Sequence, residues 1–204
     1  MRQWVWTRHR GQLLPWAAVL IAAVLVPFSF FSIEWLYRQR YTEVVREAMK
    51  ATAQIIATTP DYADLSRGTA VRLNPAVLRT IDDLIVVNLG DAVSEPARRH
   101  LANSLVVMMR PIRWKPRQYD DMDPRQRELF PIITMYGNGS NAALRSAVEE
   151  ELMFWTNELT PTAQWKGGVG TTVCIGGIVT FEGPLAHLFG KEQPVVGCAT
   201  VVSF

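Results

Sequence analysis

The sequence predicts an α+β protein, in which a long N-terminal transmembrane helix continues into a small external domain of several helices that ends in an antiparallel β-hairpin or sheet. Three observations predict this fold: residues 11–33 carry no charge, residues 34–59 contain neither Gly nor Pro, and two runs rich in β-branched residues lie near the C-terminus. Outside the apolar run roughly 150 residues remain, which is the size of one domain with a single core.

The uncharged run predicts a membrane-spanning helix. Gly11 to Ile33 would extend about 34 Å as a helix, which is enough to cross a ~30 Å hydrocarbon layer. The run ends in Phe28, Phe30 and Phe31 rather than in small residues, so we expect a retained anchor and not a cleaved signal. Aromatic side chains near the ends of such a span favour the membrane interface. Those expected there are Trp4, Trp6, Trp16, Trp35 and Tyr37.

The charges beside the span do not decide its orientation, because three arginines precede it and four basic residues follow. The N-terminal tail is short, and the two cysteines lie where a disulfide could form, which an oxidising compartment would favour. We therefore expect residues 1–10 in the cytoplasm, 11–33 in the cell membrane, and 60–204 as a periplasmic or extracellular domain.

Residues 34–59 predict an amphipathic extension of the same helix, so that one helix runs from about Leu13 to about Ala57. Charged residues such as Arg38, Glu43 and Lys50 are expected on its polar face, and the apolar face should pack on a domain or a partner. Pro27, within the span, is expected to kink the helix without a further role. The predicted apolar stripe contains Leu36, Tyr37, Tyr41, Val44, Val45, Ala48, Met49, Thr52, Ile55 and Ile56.

Three more helices and a loop are predicted in the middle of the chain. An Asn-Pro pair predicts a helix over 75–87, and a Ser-Glu-Pro start predicts another over 94–109. Residues 110–124 contain three prolines and predict an extended surface loop suited to docking. After a turn cluster at 137–141, a helix is expected over 142–159.

Two strands are predicted at the C-terminus, over 169–181 and 195–204, because β-branched residues dominate there after glycine-rich turns. Each strand holds one cysteine. If the strands pair antiparallel, Cys174 and Cys198 can form a disulfide, provided that their Cα atoms lie within about 7 Å. The alternative, two buried free thiols in a reduced protein, stays open at this point.

Motifs for catalysis, metal binding or a cofactor are absent from the sequence. It lacks C-x-x-C, C-x-x-C-H, H-E-x-x-H and G-x-S-x-G, and its three histidines lie far apart. Basic and acidic residues nearly cancel, at 21 and 19, which argues against nucleic acid as a partner. We expect no enzymatic activity, no cofactor and no metal. Expected partner contacts are Glu34, Arg38 and Trp114, with a Glu34–Arg38 ion pair as the alternative for the first two.

Both ends of the chain resemble one family. The Arg-Gly-Gln of 10–12, the following apolar helix with Pro15 near its start, and the Ile-Glu-Trp-Leu-Tyr-Arg of 33–38 resemble the N-terminus of TadE/TadG-like proteins. These are minor pilin-like components of tight-adherence pilus assembly. The segments 179–185 and 195–204 are similar to the C-terminal hairpin of that family. The resemblance implies a non-enzymatic assembly protein, with a long helix packed on a small α/β domain.

Two functional hypotheses follow, and both have other membrane protein subunits and the lipid bilayer as partners. The first is the pilin-like structural or assembly component. The second is an accessory subunit that stabilises a large membrane complex, such as an electron-transfer or photosynthetic assembly. It is motivated by the proline-rich loop and by departures from the family pattern at Trp16, Lys50 and Gln54. An enzyme is a third hypothesis and would need a site built from residues expected to be solvated.

Overall fold

The computed structural model describes residues 4–59, 75–114, 127–137, 141–158, 168–181 and 186–203. A long N-terminal apolar helix, several shorter helices and an antiparallel sheet form an α+β fold, which confirms the predicted fold class. The helices are α1 (Trp4–Thr58), α2 (Pro75–Arg79), α3 (Ile81–Leu89), α4 (Glu95–Asn103), α5 (Ala142–Glu158) and α6 (Ala186–Phe189). The strands are β1 (Val106–Trp114), β2 (Arg127–Leu129), β3 (Ile133–Tyr136), β4 (Gly168–Thr180) and β5 (Glu192–Ser203).

Helix α1 is continuous over 55 residues, although Pro15 and Pro27 lie inside it. It begins before the predicted start at about Leu13 and ends one residue after the predicted end. In its apolar part, Ser29 and Ser32 each donate a hydrogen bond to the carbonyl oxygen four residues earlier, at 2.8 Å. Both hydroxyls are therefore satisfied within the helix, as an apolar surrounding requires.

The sheet has the strand order β2-β1-β4-β5, and β3 also pairs with β1. Because β2 pairs with the end of β1 and β3 with its beginning, the two short strands share one edge. Strands β4 and β5 form a long hairpin, from the Val169–Ser203 pair to the Thr180–Glu192 pair. Both predicted C-terminal strands are thereby confirmed, with β5 beginning three residues earlier than predicted.

The middle of the chain differs from the prediction. The predicted helix over 94–109 is wrong beyond Asn103, and the predicted surface loop is wrong over 110–114, because β1 runs through both and is buried at 106–109 and at 111–112. Ser104 marks the change: its hydroxyl donates to the carbonyl oxygen of Leu101 and accepts the backbone N–H of Ile178 in β4. The rest of the predicted loop, 115–124, lies outside the described residues.

The other two helix predictions fare differently. The helix predicted over 75–87 is divided at Thr80, which separates α2 from α3 and whose hydroxyl donates to the carbonyl oxygen of Val77 at 3.0 Å. The helix predicted over 142–159 is confirmed as α5. Asn141 precedes α5, and its side-chain oxygen accepts the backbone N–H of Leu144, which is the bond expected of an N-cap.

Helices cover both faces of the sheet, and glycines allow them to come close. The later part of α1 packs on one face with α3 and α4, while α5 packs on the other. A Cβ added at Gly197 would lie 2.7 Å from the backbone nitrogen of Lys50, and one added at Gly176 would lie 2.2 Å from a Val148 methyl. Larger residues at these positions would therefore push α1 or α5 away from the sheet.

Only one row of the predicted apolar stripe on α1 reaches the core. The buried members recur at three- and four-residue spacing and are Val45, Ala48, Met49, Thr52 and Ile56. The members that are 40–60% exposed are Leu36, Tyr37, Val44 and Ile55. Val44 and Ile55 each lie one position before a buried residue, and consecutive residues are turned by about 100° around a helix. They consequently form a neighbouring row that faces away from the sheet.

The cysteines lie directly opposite each other in the hairpin. Cys174 in β4 pairs with Cys198 in β5, with Cα atoms 4.1 Å apart and Sγ atoms 1.98 Å apart. Both side chains are buried beneath α5, beside Leu144, Val148 and Leu152. The structure thus places the pair at disulfide distance, as predicted, and not as two separate buried thiols.

Candidate membrane-proximal site

The first part of α1 is an apolar surface that the rest of the chain leaves bare. Its most apolar 18-residue window has a mean hydropathy of 2.3, and none of that window is buried. In the part of the chain that the structure describes, α1 is the one helix that is long and apolar enough to cross a membrane. An apolar surface of this length requires lipid or protein around it.

The predicted interface aromatics flank this surface where the structure describes them. Trp16, Trp35 and Tyr37 are all exposed. Trp16 and Trp35 are 19 residues apart, which is about 28 Å along a helix and close to the thickness of a hydrocarbon layer. Trp4 and Trp6 belong to α1, but their side chains lie outside the description.

Arg38 joins α1 to the sheet just beyond the apolar surface. Its Nε donates to Glu34 Oε1 at 3.2 Å, and its Nη1 donates to the carbonyl oxygen of Gly190 at 2.9 Å. The guanidinium carbon lies 4.5 Å from the centre of the Phe181 ring, within the range of a cation–π contact. The turn between α6 and β5 is therefore tied to α1 through one side chain.

The position of Arg38 corrects the predicted polar face of α1, because Arg38 is only 7% exposed. It belongs to the same row as Thr42, Val45 and Met49, which the structure buries at spacings of three and four. A buried cation requires a partner, and the carboxylate of Glu34 supplies the opposite charge. The ion pair predicted as an alternative is therefore present. A contact of either residue with another subunit stays a prediction, as does one of Trp114, whose side chain is outside the description.

An aromatic row leads from the exposed Tyr37 into the core. The rings of Tyr37 and Tyr41 stack with centroids 6.1 Å apart, and Tyr41 meets Phe181 edge to face at 5.8 Å. Burial raises the pKa of the Tyr41 hydroxyl above its ordinary value of 10.0, and the neighbouring Tyr37 raises it further. Tyr41 is thus held as the neutral phenol over the physiological range.

A cleft of about 670 Å³ opens beside Arg38, between α1 and the beginning of β5. Three arginines and one glutamate line it, so its formal charge is positive. Arg46 Nη1 lies 3.0 Å from Glu43 Oε2. Amide side chains and an indole complete the wall. The lining residues are Trp35, Arg38, Gln39, Arg40, Thr42, Glu43, Arg46 and Gln193.

Two further clefts, of about 570 and 560 Å³, lie against α1. The first contains His100, together with the Tyr41–Phe181 contact, and the second contains Glu150 and Glu151 on α5. Within the described residues, no group of three or more His, Cys, Asp or Glu side chains is placed to hold a metal ion.

Sequence analysis misses the residues that contact Arg38 from the sheet side, which are Phe181 and Gly190, and also Gln193, which lines the cleft beside Arg38. Gly190 could have been recognised from the sequence, because a glycine between a helix and a strand often marks a positive φ. Here its φ is 83°. Phe181 lies at the end of a predicted strand, but strand periodicity does not show which helix the side chain will meet.

Comparisons with protein-family models, with curated proteins and with solved structures each find no match to this chain.

Proposed function

We propose that the chain is a single-pass membrane subunit without catalytic activity, which holds a rigid domain at the membrane surface for assembly with other membrane proteins. In this proposal residues 1–10 are cytoplasmic and the domain is periplasmic or extracellular. The observation that carries the proposal is the continuity of α1. One part of the helix offers bare apolar surface, and the other part belongs to the core of the domain.

The pilin-like version of this role has support from the arrangement of α1 on the sheet. Its later half lies across β4 and β5, where Gly197 allows contact between helix and strand backbones. The TadE/TadG-like resemblance implies the same arrangement, a long helix packed on a small α/β domain. In an assembly of this kind the bare half of α1 would pack beside the helices of other subunits.

The accessory-subunit alternative has support from a second exposed apolar surface. Met153 and Phe154 are 44% and 58% exposed and belong to α5, the helix that packs on the other face of the sheet from α1. A subunit that braces neighbours would use such a surface together with its membrane helix.

Purification of the tagged full-length chain in a mild detergent tests the proposal and separates its two versions. Copies of the chain with other pilin-like proteins, or fibres, are expected for the pilin-like role. A stoichiometric complex with cofactor-bearing subunits would support the accessory role instead. A chain that integrates into membranes but purifies as a lone monomer, at endogenous expression, would contradict both.

The compartment is tested on the same preparation by alkylating the denatured, unreduced protein and measuring its mass. No modified thiol is expected, because Cys174 and Cys198 lie at bonding distance. Two modified thiols would contradict the placement of the domain in an oxidising compartment.

A further inference from the structure

The positive cleft beside Arg38 lies at the height of lipid headgroups if α1 spans the bilayer as proposed. Trp35 and Arg40 follow Ile33, the end of the span, by two and seven residues, which is about 3 and 10 Å along the helix axis. Headgroups occupy about 5–8 Å beyond the hydrocarbon on each side. Side chains of an α-helix lean towards its N-terminus, so the arginines on α1 extend back towards the bilayer.

One arginine of the cleft can reach an anionic group at this height. Arg40 is exposed and forms no ion pair with the described residues. Arg46 follows Ile33 by 13 residues, which is about 20 Å along the helix axis, and it pairs with Glu43, so it lies beyond the headgroups. Gln39 and Gln193 add amide donors on opposite walls.

The turn between α6 and β5 adds an apolar side chain and a second exposed cation. The hydrogen bond from Arg38 to Gly190 fixes this turn beside the first residues after the span. Leu188, just before Gly190, is 74% exposed, and Lys191, just after it, is exposed as well. An exposed leucine beside cations suits a lipid surface, where the apolar group enters the acyl boundary and the cations meet phosphate.

We propose that this end of the domain binds the headgroup of an anionic phospholipid, with its phosphate held by Arg40 and the acyl boundary contacted by Trp35 and Leu188. The inference rests on the proposed membrane anchoring and names a lipid class that the anchoring alone does not require. Such a contact would hold the domain against the membrane surface at a second point besides α1.

The test uses the full-length protein, purified in micelles that contain equal amounts of phosphatidylcholine and phosphatidylglycerol, with bound lipids counted by native mass spectrometry. The wild type is expected to retain phosphatidylglycerol preferentially. Arg40→Gln should lower its retention relative to phosphatidylcholine by about fivefold, the effect of one cation near an anionic surface.

Arg99→Gln is the control, because Arg99 is also an exposed helical arginine and lies on α4, outside the cleft, where it pairs with Glu95. Its lipid retention should equal that of the wild type. Equal retention in the wild type and Arg40→Gln, with thermal unfolding unchanged, would overturn the inference, as would an equal loss in Arg99→Gln. Alkaline extraction of the same membranes keeps the two proposals apart. If the wild type is extracted, the anchoring fails, whereas integration without a preference for phosphatidylglycerol defeats only the lipid site.

Discussion

The two halves of α1 differ in how their apolar residues are arranged, although both belong to one continuous helix. Over 15–33 apolar residues occupy every side of the helix, and the large ones are exposed. Over 38–57 a single row is buried, and charged residues recur between its members. A domain core covers one face of a helix and therefore favours a single apolar row. An apolar surrounding such as the proposed bilayer covers the whole helix and favours apolar residues on every side.

The largest expected effect comes from truncating a side chain in the buried row of α1. Met49 is fully buried, and its methyl carbon would lie 2.9 Å from a Cβ added at Gly177. Met49→Ala should lower the free energy of unfolding of the domain by about 2–5 kcal/mol, because it removes buried methylenes and leaves a cavity. Urea titration in detergent, followed by near-UV circular dichroism, measures this.

Leu20→Ala, in the apolar part of α1 over 15–33, is the control for that titration. It should leave the unfolding of the domain unchanged, because the described residues of the domain make no core around Leu20. If both variants destabilise the domain equally, the distinction between the two halves of α1 is wrong.

An added charge should impair membrane insertion in the first half of α1 and not in the later half. Leu20→Arg should cost about 2.5–3.5 kcal/mol of membrane insertion, because an arginine at mid-span is desolvated. Gln54→Arg, on the exposed face of the later half, should insert like the wild type. Alkaline extraction of membranes from cells that express each variant measures the integrated fraction, and normal integration of Leu20→Arg would refute the span.

The smallest expected effect is a pH dependence confined to the later half. The pKa of Tyr41 is raised in the folded state, so the phenol stabilises the fold below pH 10, and this contribution is lost as the pH rises from 10 towards the folded pKa. The domain of Tyr41→Phe should therefore lose less stability than the wild type above pH 10. The difference should stay below about 1.4 kcal/mol per pH unit, because Tyr41 is partly solvated.

Urea titrations of both proteins from pH 9 to 11 supply the comparison. Membrane integration should not change over this interval, since residues 15–33 contain no ionisable side chain. Parallel stability curves for the wild type and Tyr41→Phe would show that Tyr41 titrates alike in the folded and unfolded chains.

Predictions from the sequence succeed where structure follows from long local patterns. The continuation of α1 beyond residue 33 rests on a stretch without Gly or Pro, and the β4–β5 hairpin with Cys174 and Cys198 rests on two β-branched runs that each hold one cysteine. Strand β1 is missed, because Val106 to Met109 suits a helix or a strand equally and becomes a strand through pairing with β4. A strand of this kind is defined by its neighbours and not by its own spacing.

The candidate site is predicted less well than the fold, for a related reason. The ion pair of Glu34 and Arg38 follows from a four-residue spacing, which is a local property. The contacts of Arg38 with Gly190 and Phe181 join residues more than 140 positions apart, and helical periodicity assigns a charged residue to the polar face by default. The exposure of Trp16 and Trp35 at the ends of the apolar run follows from the sequence, and their place in a membrane interface stays a prediction.

If α1 spans the bilayer as proposed, its unbroken course couples the position of the domain to the tilt of the membrane-spanning part. From Ile33 to Thr58 the helix rises about 37 Å, and transmembrane helices change their tilt to match the local thickness of the hydrocarbon layer. A change in tilt of 10° would carry the outer end of α1 sideways by about 6 Å. Because the sheet is packed on that end through Gly197, the whole domain would travel with it. Membrane thickness would thereby be converted into a lateral displacement of the surface that neighbouring subunits meet.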